Sequence, residues 1–96
     1  MITVYNTMTR KKEEFHPRRE GEVSIYCCGV TPYNDPHIGN ARPFVTWDVI
    51  RRYLAHKGYR VRYIQNFTDV DDKIINAANR EDVTWKEISD RYIAAY

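Results

Sequence analysis

The sequence has little with which to build a covalent or metal framework. Its 96 residues hold two cysteines, Cys27 and Cys28, and these are neighbours. A disulfide wants Cα atoms about 5.5 Å apart, which adjacent residues reach only by twisting the peptide unit between them. No CxxC is present, so there is no self-contained zinc motif. No apolar run approaches the roughly 20 residues that cross a bilayer. The opening Met1-Ile2-Thr3-Val4-Tyr5-Asn6 lacks the charged start and apolar block of a secretory signal. These absences point to reduced thiols, to the cytoplasm and to no membrane partner. GxGxxG and the P-loop pattern are missing too, which removes the usual dinucleotide and P-loop readings.

What is present belongs to a soluble globular domain: 43% hydrophobic and 29% charged residues in a length that allows one small domain. A formal net charge of +2 is too small to argue for nucleic acid. Residues 49–65 carry five basic side chains (Arg51, Arg52, Lys57, Arg60, Arg62) and no acid, and residues 66–96 carry seven acids against four basic groups. Such a basic segment serves a polyanion or, more commonly, is the solvated side of a helix or strand.

Ile2–Tyr5 is β-prone. The polar run Thr9–Glu14 then makes a turn, with a returning strand around Phe15. Pro17 and Gly21 mark a loop. Val23–Cys28 is a compact strand, and Val30–Pro36 has no regular structure. Apolar residues at Phe44, Trp47, Ile50, Tyr53 and Leu54 have helical spacing, with Lys57 and Gly58 as the stop. Tyr59–Asn66 alternates as a second strand. Strand, helix of about 15 residues and strand form a parallel βαβ unit. Thr68 with Asp71 resembles a capping box for a helix through Ile74, Ile75 and Ala78. Thr84 with Glu87 is a cleaner box, opening a helix with Ile88, Tyr92 and Ile93 on one face. That apolar stripe still runs at Tyr96, and the core and sheet edges look incomplete, so the chain reads as a fragment.

In parallel α/β folds, ligands bind beyond the carboxyl ends of the strands, where loops lead into helix N-termini. Free N–H groups there suit a phosphate. His37-Ile38-Gly39-Asn40 holds that position. His37 and Asn40 either cap the helix or donate to phosphate oxygens, and Gly39 lets a flat base approach the backbone. The position, directly after a strand, favours the phosphate reading. Cys28 ends the same strand and either faces that crevice or is a small core residue. Asp69, Asp71 and Asp72 suit a metal or an amine, but acids in a first helical turn are also simply stabilising. Thr68 is a cap, a ligand contact, or both.

Taken together, Tyr26-Cys27-Cys28-Gly29, Thr31, Tyr33, His37-Ile38-Gly39-Asn40-Ala41-Arg42, Asp48, Arg52-Tyr53-Leu54, Gly58-Tyr59 and Asn66 through Ile75 resemble the N-terminal part of the cysteinyl-tRNA synthetases. Tyr5-Asn6-Thr7 and Glu13-Glu14-Phe15 fit the same beginning. The resemblance covers nearly the whole chain. It implies an α/β, class I synthetase Rossmann-type nucleotide-binding fold, with residues 1–96 as the N-terminal portion of the catalytic domain. It further implies ATP-dependent activation of cysteine to cysteinyl-adenylate and transfer to tRNA(Cys), in a cytoplasmic enzyme that is a monomer when complete.

Carried over by residue, the resemblance makes His37 and Asn40 the catalytic pair on the ATP phosphates, with Gly39 under the adenine. Gly29, Thr31 and Thr68 would line the amino-acid pocket. Cys28 would be the first ligand of a zinc ion that binds the substrate thiolate, since a borderline-soft metal with an open position prefers sulfur to a serine hydroxyl. Magnesium would accompany ATP. Cys27 has no such role and reads as core, and the acids of residues 69–72 become mainly structural.

Three departures stand out. Asn40 replaces the second histidine of the HIGH-type motif, keeping a donor but no charge. Val30 and Pro32 differ from the usual loop residues. The remaining zinc ligands, the KMSKS lysine loop and the anticodon-reading part are not in these residues, so the 96 residues alone are expected to be inactive. Two alternatives remain: the cysteine:amino-sugar ligase of mycothiol synthesis, and a non-catalytic truncated module that binds nucleotide or a partner.

Overall fold

A computed structural model describes residues 1–96. The chain begins with an antiparallel hairpin, β1 (Thr3–Asn6) and β2 (Lys11–Glu14), paired from Thr3↔Glu14 to Asn6↔Lys11. The returning strand is therefore the polar run itself, and Phe15 follows it. Most of the hairpin is exposed, so its pairing needs no apolar alternation, and a polar sequence can take it. Asn6 closes the turn by accepting the Met8 N–H at 3.0 Å.

The central unit is the parallel βαβ expected from the pattern. β3 (Glu22–Cys27) pairs with β4 (Arg60–Gln65) from Glu22↔Arg60 to Cys27↔Gln65, and α1 (Ile38–His56) connects them. Alternation decides what is buried. Val23 and Cys27 are buried, and Ile25, Val61, Tyr63 and Gln65 are half-buried on one face. Glu22, Ser24, Tyr26, Arg60, Arg62 and Ile64 are exposed on the other.

α1 lies against β4. It starts earlier than the apolar spacing implied, because the motif residues 38–40 form its first turn, and it tolerates Pro43 inside. Pro43 has no N–H to offer the carbonyl of Gly39, and Gly39 is exposed to solvent. Phe44, Trp47, Ile50 and Leu54 face inward as expected, whereas Tyr53 turns outward, 49% exposed.

α2 (Asp72–Glu81) and α3 (Trp85–Ala95) form the second packing unit. Ile74, Ala77, Ala78 and Ile88 make its core, with Tyr33, Val83 and Tyr92 packed against it. Ile74 and Ile88 are wholly buried, each contributing about 1.5–3 kcal/mol by the usual transfer measure. The cap of α2 is Asp71, whose side chain accepts the Lys73 N–H at 2.8 Å. Thr68 is not the cap, because its own N–H is drawn to the Val30 carbonyl at 3.0 Å, and residues 69–71 run on beyond it before the helix begins. The Thr84–Glu87 box is as expected: Glu87 N–H donates to Thr84 Oγ1 at 3.2 Å, and Thr84 N–H to Glu87 Oε2 at 2.7 Å.

The whole is elongated, 53 × 27 × 24 Å. No helix is long and apolar enough to cross a membrane.

Candidate functional site

The site is built where β3 and β4 end. Beyond Cys27 the chain passes through Cys28 to Gly29, and beyond Gln65 it reaches Asn66. The N–H of Gly29 donates to Asn66 Oδ1 at 2.7 Å. The two backbones approach so closely that a Cβ on Gly29 would lie 1.5 Å from the Asn66 carbonyl oxygen. One step further, Thr68 N–H donates to Val30 O. The loops that leave the two strands are thus laced together, and Gly29, Thr31 and Thr68 lie on them, all half-buried. Asn66 was not singled out by residue-level reasoning. The signal for it is register: its neighbour Gln65 pairs with Cys27.

The loop from Thr31 to Pro36 then leads to α1. Pro32 is wholly buried, Tyr33 packs on the α2–α3 core, and Lys73 Nζ sits 5.4 Å above the Tyr33 ring. These contacts set where α1 starts. At that start, His37 Nδ1 accepts the Gly39 N–H at 2.9 Å, and Asn40 Oδ1 accepts the His37 N–H at 2.8 Å. The capping reading of these two residues holds, and it does not compete with ligand binding. An imidazole nitrogen that accepts is unprotonated, so the neutral ring carries its proton on Nε2. With Asn40 Oδ1 used as an acceptor, both N–H groups of Nδ2 remain donors. Capping therefore leaves the remaining donors of both side chains without a protein partner at the start of the helix. His37 and Gly39 are exposed and Asn40 half-buried.

A concavity of about 210 Å³ opens beside this cap, lined by Pro36, His37, Asn40, Ala41, Phe44 and Tyr96. A larger one, about 880 Å³, lies at the opposite end of the sheet, among residues 15–19, Glu22–Ser24 and Arg60–Arg62. It touches none of the candidate residues. Arg60 and Arg62 bring the end of the basic segment here beside Arg18 and Arg19, with Glu22 between Arg19 and Arg60 at 3.9 Å from each. Arg51 and Arg52 of that segment pair with the acid just before it. Asp48 accepts from Arg51 at 2.7 Å and Arg52 at 2.8 Å. The Arg51 hydrogen bond, with the further charge of Arg52, holds the Asp48 carboxyl below the usual range.

The cysteines separate: Cys27 is buried and Cys28 exposed. No group of three or more His, Cys, Asp or Glu side chains gathers to hold a metal ion. Cys28 alone does not make a zinc site. Asp69 is exposed and Asp71 is committed to its cap.

A parallel strand pair joined by a crossover helix that starts at the carboxyl edge is the βαβ unit of a Rossmann-like α/β fold. The family model described as the class I (C) tRNA synthetase catalytic domain matches residues 14–96, and the chain belongs to that family. It is similar to proteins named cysteine–tRNA ligase: 60% identical over 96 residues in Fusobacterium nucleatum and 59% over 96 in Latilactobacillus sakei, in each case all of this chain and 20% of the relative. In Lachnospira eligens the likeness is 62% over 93 residues, 97% of this chain and 20% of the relative. The chain spans about a fifth of the length of these curated relatives.

Proposed function

We propose that these residues are the part of a catalytic domain that grips ATP and cysteine in a ligase forming cysteinyl-adenylate and then cysteinyl-tRNA(Cys). The observation that carries the reading is the double cap at His37 and Asn40, which uses Nδ1 and Oδ1 and leaves Nε2–H and Nδ2–H₂ free where the crossover helix of a parallel strand pair begins. A cysteine carboxylate oxygen attacks the α-phosphorus of ATP, the bond to the bridging oxygen breaks, and pyrophosphate departs. Charge spreads over the phosphate oxygens as this happens. Fixed donors placed beforehand stabilise it without reorganising. His37 and Asn40 serve as those donors, and the bare, exposed Gly39 lets the adenine lie against the backbone.

The amino acid lies against Gly29, Thr31 and Thr68, where the laced loops give a backbone-defined floor. Cys28, the exposed thiol at its rim, serves as one zinc ligand if others come from outside these residues. Bound zinc would supply a soft contact for the substrate thiolate, and magnesium would travel with the ATP phosphates.

The test is cysteine-dependent ATP–pyrophosphate exchange by the protein as its gene encodes it, followed by charging of tRNA(Cys). Exchange with cysteine but not serine, together with charging, is the expected result. Exchange without charging, but with transfer to an amino sugar, would replace tRNA as the acceptor. No exchange with cysteine overturns the reading.

A further inference from the structure

Tyr96 follows α3 as its C-cap, and the Asn40 that it meets lies 56 residues earlier. Its hydroxyl donates to Asn40 Oδ1 at 3.0 Å. Its ring, partly exposed, contacts Phe44, with centroids 6.5 Å apart, and Phe67, at 6.1 Å. Phe44 belongs to α1 and Phe67 to the loop after β4, so the phenol is held from two sides. It also walls the 210 Å³ concavity on which His37 and Asn40 border. The Asn40 oxygen thus has two donors, the His37 N–H at 2.8 Å and the Tyr96 O–H. An amide oxygen has two lone pairs, and here both are used.

We infer that Tyr96 is a positioning residue for adenylation, saturating Asn40 Oδ1 so that the amide cannot flip and its Nδ2 donors stay aimed at the nucleotide phosphates. The inference rests on the reading of Asn40 as a phosphate ligand. A side-chain amide with a single acceptor bond swings about χ2 at low cost. A flip would present an oxygen to the phosphates and repel them. Two bonds on the two lone pairs, one from the backbone of the helix cap and one from a residue 56 positions away, remove that freedom. The phenol stays 37% exposed; its partial desolvation, with a further push from Tyr33, raises it above its ordinary pKa, so at neutral pH it remains a donor.

The experiment is Tyr96→Phe, which keeps the ring and removes the donor, in the protein as its gene encodes it. The kcat for cysteine-dependent exchange should fall roughly three- to tenfold, the size of one neutral hydrogen bond, while KM for cysteine moves less than twofold. Asn40→Ala combined with Tyr96→Phe should be no slower than Asn40→Ala alone. Tyr92→Phe, on the same helix but packed on the α2–α3 core, is the control and should leave kcat unchanged. A second readout needs no turnover. In protein labelled with ¹⁵N-asparagine, Tyr96→Phe should shift the Asn40 side-chain amide peaks and speed their exchange with water, and Tyr92→Phe should not. Unchanged amide peaks, or additive losses in the double variant, overturn the inference. If the amide responds but the wild type performs no exchange, the contact stands and the proposed activity fails. If exchange is present and Tyr96→Phe leaves kcat untouched, the activity stands and the positioning role fails.

Discussion

The carbonyl oxygen of Asn66 occupies the place where a Cβ on Gly29 would go, 1.5 Å from that point. Gly29 is a glycine because a backbone atom stands there, and a backbone atom cannot rotate aside. Gly29→Ala should therefore cost the upper part of the roughly 1–3 kcal/mol typical of overpacking, or more, and open the loop after β3. A urea melt of the alanine variant should show a lower midpoint with an unchanged slope. Wild-type stability would remove the close approach.

Asn66→Ala leaves the backbone contact but takes away the acceptor of the Gly29 N–H. Leaving that half-buried donor unmet should cost about 1–3 kcal/mol. Asn66→Asp, which keeps an acceptor oxygen, should recover most of it in the same melt.

His37→Asn separates capping from ligand contact. Asparagine is among the best N-caps, so circular dichroism should show α1 intact. The Nε2 donor is gone, and exchange activity should fall roughly a hundredfold, the scale for losing one fixed donor to a developing charge. Retained activity would make His37 a cap and nothing more.

Glu87 gives a pH dependence. The Thr84 N–H and then the Thr84 hydroxyl hold its carboxyl below the ordinary 4.5. A carboxylate depressed in the folded state stabilises fully above 4.5 and loses that contribution as pH falls through the lower, folded value. Between pH 6 and 3 the melting temperature of the wild type should fall more steeply than that of Glu87→Gln. Parallel curves would contradict it.

The cysteine pair should behave as two different thiols. Cys28 is exposed and Cys27 is buried, so a thiol reagent should modify one cysteine quickly in the native protein and the second only on unfolding. Cys28→Ser should abolish the fast phase and leave the slow one.

What was legible in the sequence was local. Alternation along β4, the Thr84–Glu87 box and the Lys57–Gly58 stop each involve residues within a few positions, and local chemistry decides them. Thr68 is not the cap that its spacing from Asp71 suggests: its N–H answers to Val30, 38 positions earlier, and no short window contains that partner. The polar strand Lys11–Glu14 passed for a turn because a solvated hairpin carries no apolar alternation. At the site, the motif positions were visible, but the contacts that set their geometry, Gly29 with Asn66 and Asn40 with Tyr96, span 37 and 56 residues. Tyr96 showed only as the end of an apolar stripe. The family match spans residues 14–96; what the fold adds is how the motif residues are held.

The segment from Gly29 to Tyr33 is fastened at three points: to Asn66, through Val30 to Thr68, and through Tyr33 to the α2–α3 core. It is a mechanical link between two bodies that share few other contacts. If α2 and α3 rock against the sheet, they carry Tyr33 with them and pull on the strand end where Cys28 and Gly29 sit. Amide exchange would show such a hinge as two groups of protons that open separately, with residues 29–33 following the helices. A ligand drawing the two bodies together would slow both groups at once.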